Sequence, residues 1–236
     1  MEIFDLGLVD FKPAWDFQKE IFQAVKNANF SKALILCQHN PVITLGRTAN
    51  RKNILMDEQG LNLKGIQIYE IERGGDVTYH GPGQLTVYPI FNLNYFKKDI
   101  HFFLRYLEEV VIELLSDFGV CGLQRPGLTG VWAGKEKIAS IGIAIRNWIT
   151  FHGLSLNIKK DDLGNFRFIR PCGQDIEITS LETVLGRNIE IDNVKENLIH
   201  KFKNLGSFLQ PKLEVSPMGT LLRLGRETVL KEREND

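Results

Sequence analysis

The sequence predicts an α/β (α+β) protein in which a mixed sheet is flanked by helices. Three stretches with helical spacing of apolar residues alternate with short β-branched runs, and several strand-like runs follow one another near the middle of the chain. A chain of 236 residues is short enough for one core, because single cores stop growing only beyond roughly 250 to 300 residues. We therefore predict a single domain over residues 1–236, without repeats, linkers or low-complexity segments.

The first half of the chain supplies one helix and four strands. Apolar residues between Ala14 and Ala28 fall mostly on one helical face, which predicts the first helix. Runs of β-branched and apolar residues then predict strands at 33–37, 42–46, 66–71 and 85–90. Because proline cannot donate a hydrogen bond to a strand ladder, Pro89 is expected to mark a strand end.

The second half begins with the clearest helix of the sequence. Asp99 is a suitable N-cap, apolar residues continue at helical spacing to Phe118, and Gly119 follows as a stop signal. Three runs between Val131 and Ile158, separated by short polar or glycine-containing breaks, predict a β meander. A third helix is expected over 193–205, then a short strand-like run at 208–215 and a charged tail. The C-terminal helix and tail together span 192–236.

Charge and hydropathy exclude several classes of protein. Lys plus Arg and Asp plus Glu each number 29, so no overall field attracts nucleic acid or an anionic membrane surface. The N-terminus lacks a basic segment followed by an apolar one, and no run of about 18 apolar residues occurs. We expect a soluble, cytoplasmic protein that binds neither nucleic acid nor membranes.

A glycine-rich segment, RGGDVTYHGPGQ, runs from Arg73 to Gln84 directly after a predicted strand. Its glycines allow backbone to approach a ligand closely, with Arg73 and His80 at the edges, although an ordinary surface turn has the same composition. The spacing fits neither a phosphate loop nor a dinucleotide-binding turn. The sequence therefore predicts no nucleotide cofactor, and it shows no spacing typical of a metal site.

Three cysteines at wide spacings suit neither a disulfide framework nor a zinc site. Cys37 lies in the apolar run ALILC and is expected in the core, and Cys121 is expected to be semi-buried. Cys172 lies between Pro171 and Gly173 in a turn-forming context, which favours it as an accessible thiol. A thiol with a pKa of about 8.5 needs a neighbouring cation or base to become a nucleophile.

A lysine or a histidine could activate that thiol, and the residues alone leave the choice open. A Cys-His dyad would use His80 or His152. Lys135 and Lys137 are the lysine candidates, and if Lys137 begins a strand, a period of two places Lys135 on the same face. Spacing in the sequence therefore does not separate the two lysines.

The segment RGGDVTYHGPGQ resembles the signature of the lipoyl(octanoyl) transferases, a branch of the biotin/lipoate protein ligase superfamily. Four further segments are similar to that family in the expected order: HNPVITLGR (39–47), KIASIG (137–142), FHGLSLNI (151–158), and PCG (171–173) followed by ITSL. The matching segments lie within 33–181. The resemblance implies a biotin/lipoate protein ligase-like catalytic domain with Cys172 as the nucleophile and Lys137 as its activator.

The resemblance also implies a set of residues that bind the acyl substrate. Backbone N–H groups near Gly173, or within 140–142 and 153–155, would stabilise the oxyanion. The full predicted substrate-binding set is Arg73, Gly74, Gly75, Asp76, Val77, Thr78, Tyr79, His80, Ser140, Ile141, Gly142, Gly153, Leu154 and Ser155.

The implied reaction moves an octanoyl or lipoyl group from acyl carrier protein, through a Cys172 thioester, to a lysine of a lipoyl domain. The implied acceptors are the lipoyl domains of 2-oxoacid dehydrogenases and the glycine cleavage H protein. Because a thioester is exchanged for a thioester, no ATP is needed. An acidic carrier protein would dock on a local basic patch, for which the candidates are Arg47, Arg51, Lys52, Arg146, Arg167 and Arg170.

Two other classes of function stay open at this point. An ATP-dependent lipoate or biotin ligase would use the same fold but activate a free acid as an acyl-adenylate. A non-catalytic carrier-binding protein would keep the fold without turnover, although the presence of both Cys172 and Lys137 speaks against it.

Overall fold

The computed structural model describes residues 1–161, 163–173 and 175–204, and of Cys172 it describes the backbone alone. The strands are β1 (Glu2–Val9), β2 (Lys32–His39), β3 (Val42–Leu45), β4 (Gln67–Glu70), β5 (Val77–His80), β6 (Gln84–Phe91), β7 (Gly122–Arg125), β8 (Leu128–Ala133), β9 (Glu136–Arg146) and β10 (Ile149–Asn157). The α-helices are α1 (Phe11–Lys26), α2 (Glu58–Leu63), α3 (Ile100–Asp117), α4 (Leu181–Leu185) and α5 (Ile191–Asn204).

The strands form two mixed sheets. The large sheet has seven strands in the order β1-β2-β6-β10-β9-β8-β7, and the small sheet has three in the order β4-β3-β5. Parallel pairing joins β1 to β2 and β3 to β4, whereas the other pairs are antiparallel. The predicted meander is confirmed by β8, β9 and β10, which pair in sequence order.

Helices cover both faces of the large sheet. The apolar stripe of α1 packs against β2 and β6 in one cluster that includes Phe22, Ile35 and Ile90. On the other face, α3 and α5 pack together over the same strands, with Phe103 and Phe202 in their cluster. The predicted fold class, a mixed sheet flanked by helices, is confirmed.

The predicted helices are confirmed with small shifts at their ends. The N-cap Asp99 accepts a hydrogen bond from the backbone N–H of Phe102 at 3.0 Å, as expected for the start of α3. The first helix ends at Lys26 rather than Ala28, because Ala28 has a φ of 61° and cannot continue a right-handed helix. The predicted strand at 208–215 and the charged tail lie outside the described residues.

The expectation that Pro89 ends a strand is wrong, because Pro89 lies inside β6 and pairs with Leu34 of β2. On the other side of β6, the ladder with β10 stops at the pair Leu154 and Val87. The proline ring faces this interruption: a Cβ added to Gly153 would lie 2.5 Å from Pro89 Cδ. No N–H is required there, so the proline is tolerated.

The glycine-rich segment is also more regular than predicted. Residues 77–80 within it form β5, which pairs with β3 from Val42↔His80 to Leu45↔Val77. The glycine and proline residues of the segment predict turns, so no strand is expected from the sequence. Pairing with β3 stabilises β5.

Candidate active site

The two sheets meet at a cavity of about 470 Å³. The small-sheet wall is formed by residues 74–78 and His80, and the large-sheet wall is formed by Lys137, residues 140–143 and residues 153–155. Every predicted substrate-binding residue except Tyr79 lines this cavity. Residues that lie far apart in the sequence are therefore brought to one concave surface.

Tyr79 lies on the other side of β5, because successive side chains of a strand point to opposite faces. Its ring is buried against Phe166, with the ring centroids 5.5 Å apart. Its hydroxyl oxygen accepts a hydrogen bond from Asn165 Nδ2 at 2.9 Å. This placement gives Tyr79 a packing role in the small-sheet core and directs its side chain away from the cavity.

Glycines let the two walls touch through their backbones. The N–H of Gly74 donates to the carbonyl of Ile143 at 2.8 Å, which joins the two sheets directly. A Cβ on Gly142 would lie 3.1 Å from the Gly74 oxygen, and one on Gly46 would lie 2.2 Å from the Gly75 oxygen. A side chain at Gly142 of the KIASIG segment, or at Gly46, would therefore meet the backbone of the glycine-rich segment.

The Arg73 side chain binds mainly to β3 of the small sheet. It is 8% exposed, and its guanidinium donates to the backbone oxygen of Thr44 at 2.7 Å and to Thr44 Oγ1 at 3.0 Å. It also donates to the Gly74 oxygen at 3.1 Å. The side chain therefore fixes the conformation of the segment that follows it, while its edge contributes to the cavity.

Lys137 is buried at the cavity, with 3% of its surface exposed. Its Nζ donates to the carbonyl of Thr129 at 3.0 Å and lies 5.0 Å from the centroid of the Trp132 ring. Space for the side chain comes from Gly130, where a Cβ would lie 2.6 Å from Lys137 Cε. A buried lysine side chain is unusual outside functional sites, since desolvation penalises its charged form.

The two candidate lysines are separated by their positions, contrary to the expectation from spacing. Strand β9 begins at Glu136, so Lys135 lies in the turn between β8 and β9 and is exposed. Strand periodicity does not extend into that turn. Lys137 is the lysine that reaches the cavity.

The predicted nucleophile lies in a 3₁₀ turn, Pro171–Gly173, and Pro171 lines the cavity. The side chain of Cys172 lies outside the described residues. Before the turn, the N–H of Arg170 donates to the backbone carbonyl of Asn53 at 2.7 Å. After it, Lys137 exchanges backbone hydrogen bonds with Glu177 and Thr179, at 2.8 Å and 3.0 Å. The segment after the turn is thereby paired with the strand that carries Lys137, and Pro171 and Lys137 line the same cavity.

Asp76 connects the small-sheet wall to the same turn. Its carboxylate accepts from the backbone N–H of Asn50 at 3.0 Å and from Asn53 Nδ2 at 2.5 Å. A Cβ built on Gly173 would lie 3.4 Å from Asn53 Nδ2 and 3.9 Å from Asp76 Oδ2. The Asp76–Asn53 pair thus lies next to the residue that follows Cys172, and nothing in the sequence marked Asn53.

His80 is neutral in its environment and has a defined tautomer. Burial lowers its pKa to about 3. Gln84 Nε2 donates to Asn157 Oδ1 at 2.9 Å, so Gln84 Oε1 faces His80 Nδ1, 2.7 Å away, as an acceptor. The proton therefore lies on Nδ1 of His80, and Nε2 accepts from Thr44 Oγ1 at 3.5 Å.

His152 occupies an uncommon conformation at the cavity. Its φ is 56°, in the left-handed region, within strand β10. Its Nε2 donates to Glu72 Oε2 at 3.2 Å, and burial lowers its pKa although the Glu72 carboxylate opposes this effect. The neutral form of His152 is favoured, and the contact with Glu72 joins β10 to the start of the glycine-rich segment.

The other two cysteines differ in exposure. Cys37 is fully buried as predicted, and burial raises the pKa of its thiol. Cys121 is exposed rather than semi-buried, because it follows the end of α3 and precedes β7 at the surface. Neither residue lines the cavity.

Several cavity residues carry no obvious signal in the sequence. Thr86 and Tyr88 line the cavity from β6, and the alternation Gln84, Thr86, Tyr88 of polar groups in an apolar strand could have indicated them. Ile100 and Leu104 reach it from the first turns of α3. Both belong to the apolar residues at helical spacing after Asp99, a pattern that by itself predicts packing against a core.

The described part of the chain contains no group of three His, Cys, Asp or Glu side chains arranged to hold a metal ion. Within the same residues, no helix is long and apolar enough to cross a membrane.

Residues 10–203 match the family model of the lipoyl protein ligase A/B catalytic domain. The chain belongs to this family. An octanoyltransferase from Thermoanaerobacter sp. (strain X514) is 42% identical over 206 residues, which cover 86% of this chain and 89% of the relative. An octanoyltransferase from Geobacter metallireducens is 40% identical over 217 residues, which cover 92% of this chain and 98% of the relative.

A solved structure of lipoate-protein ligase A bound with ATP superposes with a TM-score of 0.72 at 17% identity. The superposition covers 87% of this chain and 85% of that one. At this identity the likeness establishes the lipoyl protein ligase fold for the chain.

Proposed function

We propose that this protein transfers an octanoyl or lipoyl group from acyl carrier protein to a lysine of lipoyl domains through a thioester on Cys172. The observation that carries the proposal is the buried Lys137 in a cavity that Pro171 of the Cys172 turn also lines. Relatives named octanoyltransferase, 40–42% identical over most of the chain, support the same reaction.

In the first step, the Cys172 thiol loses its proton to Lys137, and the thiolate attacks the carbonyl carbon of the acyl carrier thioester. A new carbon–sulfur bond to Cys172 forms as the bond to the carrier sulfur breaks. Lys137 then returns a proton to the carrier thiolate. One thioester replaces another, so the step is nearly balanced in free energy.

In the second step, the amine of a target lysine attacks the acyl-enzyme. An amide bond forms, the bond to Cys172 breaks, and the proton of the amine passes through Lys137 to the thiolate. Because an amide is more stable than a thioester, this step is downhill and needs no ATP.

The cavity walls supply groups for both the acyl chain and the oxyanion. Ile71, Ile141 and Leu154 line the cavity and give the chain an apolar environment. Backbone N–H groups of residues 140–142 and 153–155 are the candidates for oxyanion donors, whereas the N–H of Gly173 donates to the backbone carbonyl of Arg170 at 3.0 Å. Substrate contacts of the other predicted residues on both walls belong to the same proposal.

An ATP-dependent lipoate ligase is the second candidate, since its fold is shared. The octanoyltransferase relatives do not favour it. Transfer from free octanoate that requires ATP would support the ligase.

The donor and acceptor proteins are also part of the proposal. Acyl carrier protein would dock on a basic patch, and the acceptors would be lipoyl domains of 2-oxoacid dehydrogenases and the glycine cleavage H protein. Two of the six predicted basic residues pair with carboxylates: Arg51 with Glu58 and Glu70, and Arg170 with Asp175. Arg47 and Arg146 are exposed, and charge reversal there should weaken apparent carrier affinity at low salt. A cytoplasmic location fits these partners.

The test is intact-mass measurement after incubation with octanoyl-acyl carrier protein in the absence of ATP. We expect one octanoyl group, located by peptide mass spectrometry on Cys172 and discharged by a lipoyl domain. The matched controls are Cys121→Ala, which should be labelled like the wild type, and Cys172→Ala, which should not be labelled. Thioester labelling that persists in Cys172→Ala would contradict the proposal.

A further inference from the structure

Glu108 is a buried carboxylate on α3 that the proposed chemistry does not use. The residue is 0% exposed, among the apolar residues of α3 that pack on the large sheet. A carboxylate is buried at a large cost in free energy unless hydrogen bonds compensate it. The two oxygens are satisfied differently: Oε2 pairs with the half-exposed Arg105, and Oε1 accepts from the backbone N–H of Gly130 at 3.0 Å.

Gly130 lies directly beside Lys137. Its φ is 137°, and a Cβ on it would lie 2.6 Å from Lys137 Cε and 3.1 Å from Nζ. Close to this point, the register between β8 and β9 shifts between Val131 and Trp132. The strand is thus irregular where it passes the lysine, and its neighbour β9 alone does not fix its conformation.

One peptide group connects Glu108 to Lys137. The N–H of Gly130 and the carbonyl of Thr129 belong to the same planar unit, so the direction of one determines the direction of the other. Glu108 accepts from the N–H side, while the carbonyl accepts from Lys137 Nζ at 3.0 Å. Hydrogen bonds in such a chain also polarise one another.

We propose that Glu108 is a positioning residue for Lys137, acting through the Thr129–Gly130 peptide to hold the carbonyl that orients Nζ. This inference rests on the proposed role of Lys137 in activating Cys172. Loss of the carboxylate would let the peptide rotate, and Lys137 Nζ would lose a fixed acceptor.

Glu182 offers a matched control. It is also a buried carboxylate, it accepts from the backbone N–H of Ile189 at 3.1 Å, and it pairs with Lys159 at 2.9 Å. It does not line the cavity. Substitution of Glu182 therefore reports the general effect of removing a buried acceptor.

The variants are Glu108→Met, which keeps the volume but has no acceptor, and Glu108→Gln, which keeps an acceptor for Gly130. The Glu108 variants and the control Glu182→Met are made in a Cys121→Ala background, because the exposed Cys121 would react with alkylating reagents. Single-turnover octanoylation and the pH profile of Cys172 alkylation by iodoacetamide are measured. We expect Glu108→Met to slow octanoylation about 30-fold and shift the alkylation profile, Glu108→Gln to slow it about threefold, and Glu182→Met to leave both unchanged.

The decisive comparison repeats the Glu108 substitutions in a Lys137→Ala background. If Glu108 acts through Lys137, neither substitution slows the residual octanoylation of Cys172 further or changes the pH profile of its alkylation. Should Glu108→Met fail to fold, the threefold effect of Glu108→Gln and its absence beside Lys137→Ala give the same answer. Equal effects in both backgrounds, or no effect in either, would overturn the inference. Failure of the wild type to form a thioester would instead reject the proposed function.

Discussion

The two walls of the cavity are held in place by different interactions. Strand ladders hold the large-sheet wall, where Gly142 faces Gly153 and Ser140 faces Ser155 across β9 and β10. Side chains hold much of the small-sheet wall, through the Arg73 contacts to Thr44 and the Asp76 contacts to the segment around Asn53. Because the proposed base Lys137 lies on the large-sheet wall, we expect substitutions there to slow the reaction more than substitutions on the small-sheet wall.

The largest effect is expected from Lys137→Ala, which removes the proposed base from the large-sheet wall. We expect single-turnover octanoylation to slow by about 10²- to 10⁴-fold, the usual contribution of a positioned acid–base group. Lys135→Ala is the control, because Lys135 is exposed two residues away. Similar rates for the two variants would remove the proposed division between the lysines.

Gly153→Ala tests the packing of the large-sheet wall. A Cβ there would lie 2.2 Å from the Val87 oxygen and 2.5 Å from Pro89 Cδ, so we expect a loss of about 3 kcal/mol in the free energy of unfolding. Urea unfolding measures it. Gly164→Ala, where no atom lies within 4 Å, should change stability by less than about 0.5 kcal/mol.

The dependence of stability on pH tests two buried histidines, His80 and His39. Burial lowers the pKa of His80 to about 3 and of His39 to about 4, whereas the unfolded residues titrate near pH 6.5. The unfolded chain therefore binds more protons below pH 6.5, and stability falls as the pH drops. Between pH 7.5 and 5.5 we expect the pair to contribute a loss of roughly 2.5 kcal/mol in urea unfolding.

His39→Gln should remove about half of this pH dependence. His200→Gln is the control, because His200 is exposed on α5. An unchanged pH dependence in His39→Gln would show that other groups dominate the acid transition.

The smallest effect is expected from Asp76→Asn on the small-sheet wall. Asparagine keeps only one oxygen acceptor, so one of the two hydrogen bonds from Asn50 and Asn53 is lost. We expect octanoylation to slow about tenfold, equivalent to about 1.4 kcal/mol. Asp57→Asn is the control, since Asp57 caps α2 away from the cavity and asparagine caps helices about equally well. A loss as large as that of Lys137→Ala would contradict the ranking of the two walls.

Much of the fold followed from local patterns. The N-cap, the apolar stripe and the stop signal located α3, and runs of β-branched and apolar residues located β2, β3, β4, β6, β8, β9 and β10. Local patterns failed where pairing with a distant strand decides the outcome, as in β5 within a glycine-rich segment and at Pro89, which lies opposite an interruption of its ladder.

By itself, the sequence determined the fold class, the family and the motif segments that form much of the cavity wall, because these depend on short local patterns of residues. The tertiary structure alone decided that Tyr79 faces the core, that Lys137 and not Lys135 reaches the cavity, and that Glu108 lies behind Gly130. These outcomes depend on where strands start, where registers shift and which distant helix covers them. Such contacts form between residues far apart in the chain, so no local pattern specifies them.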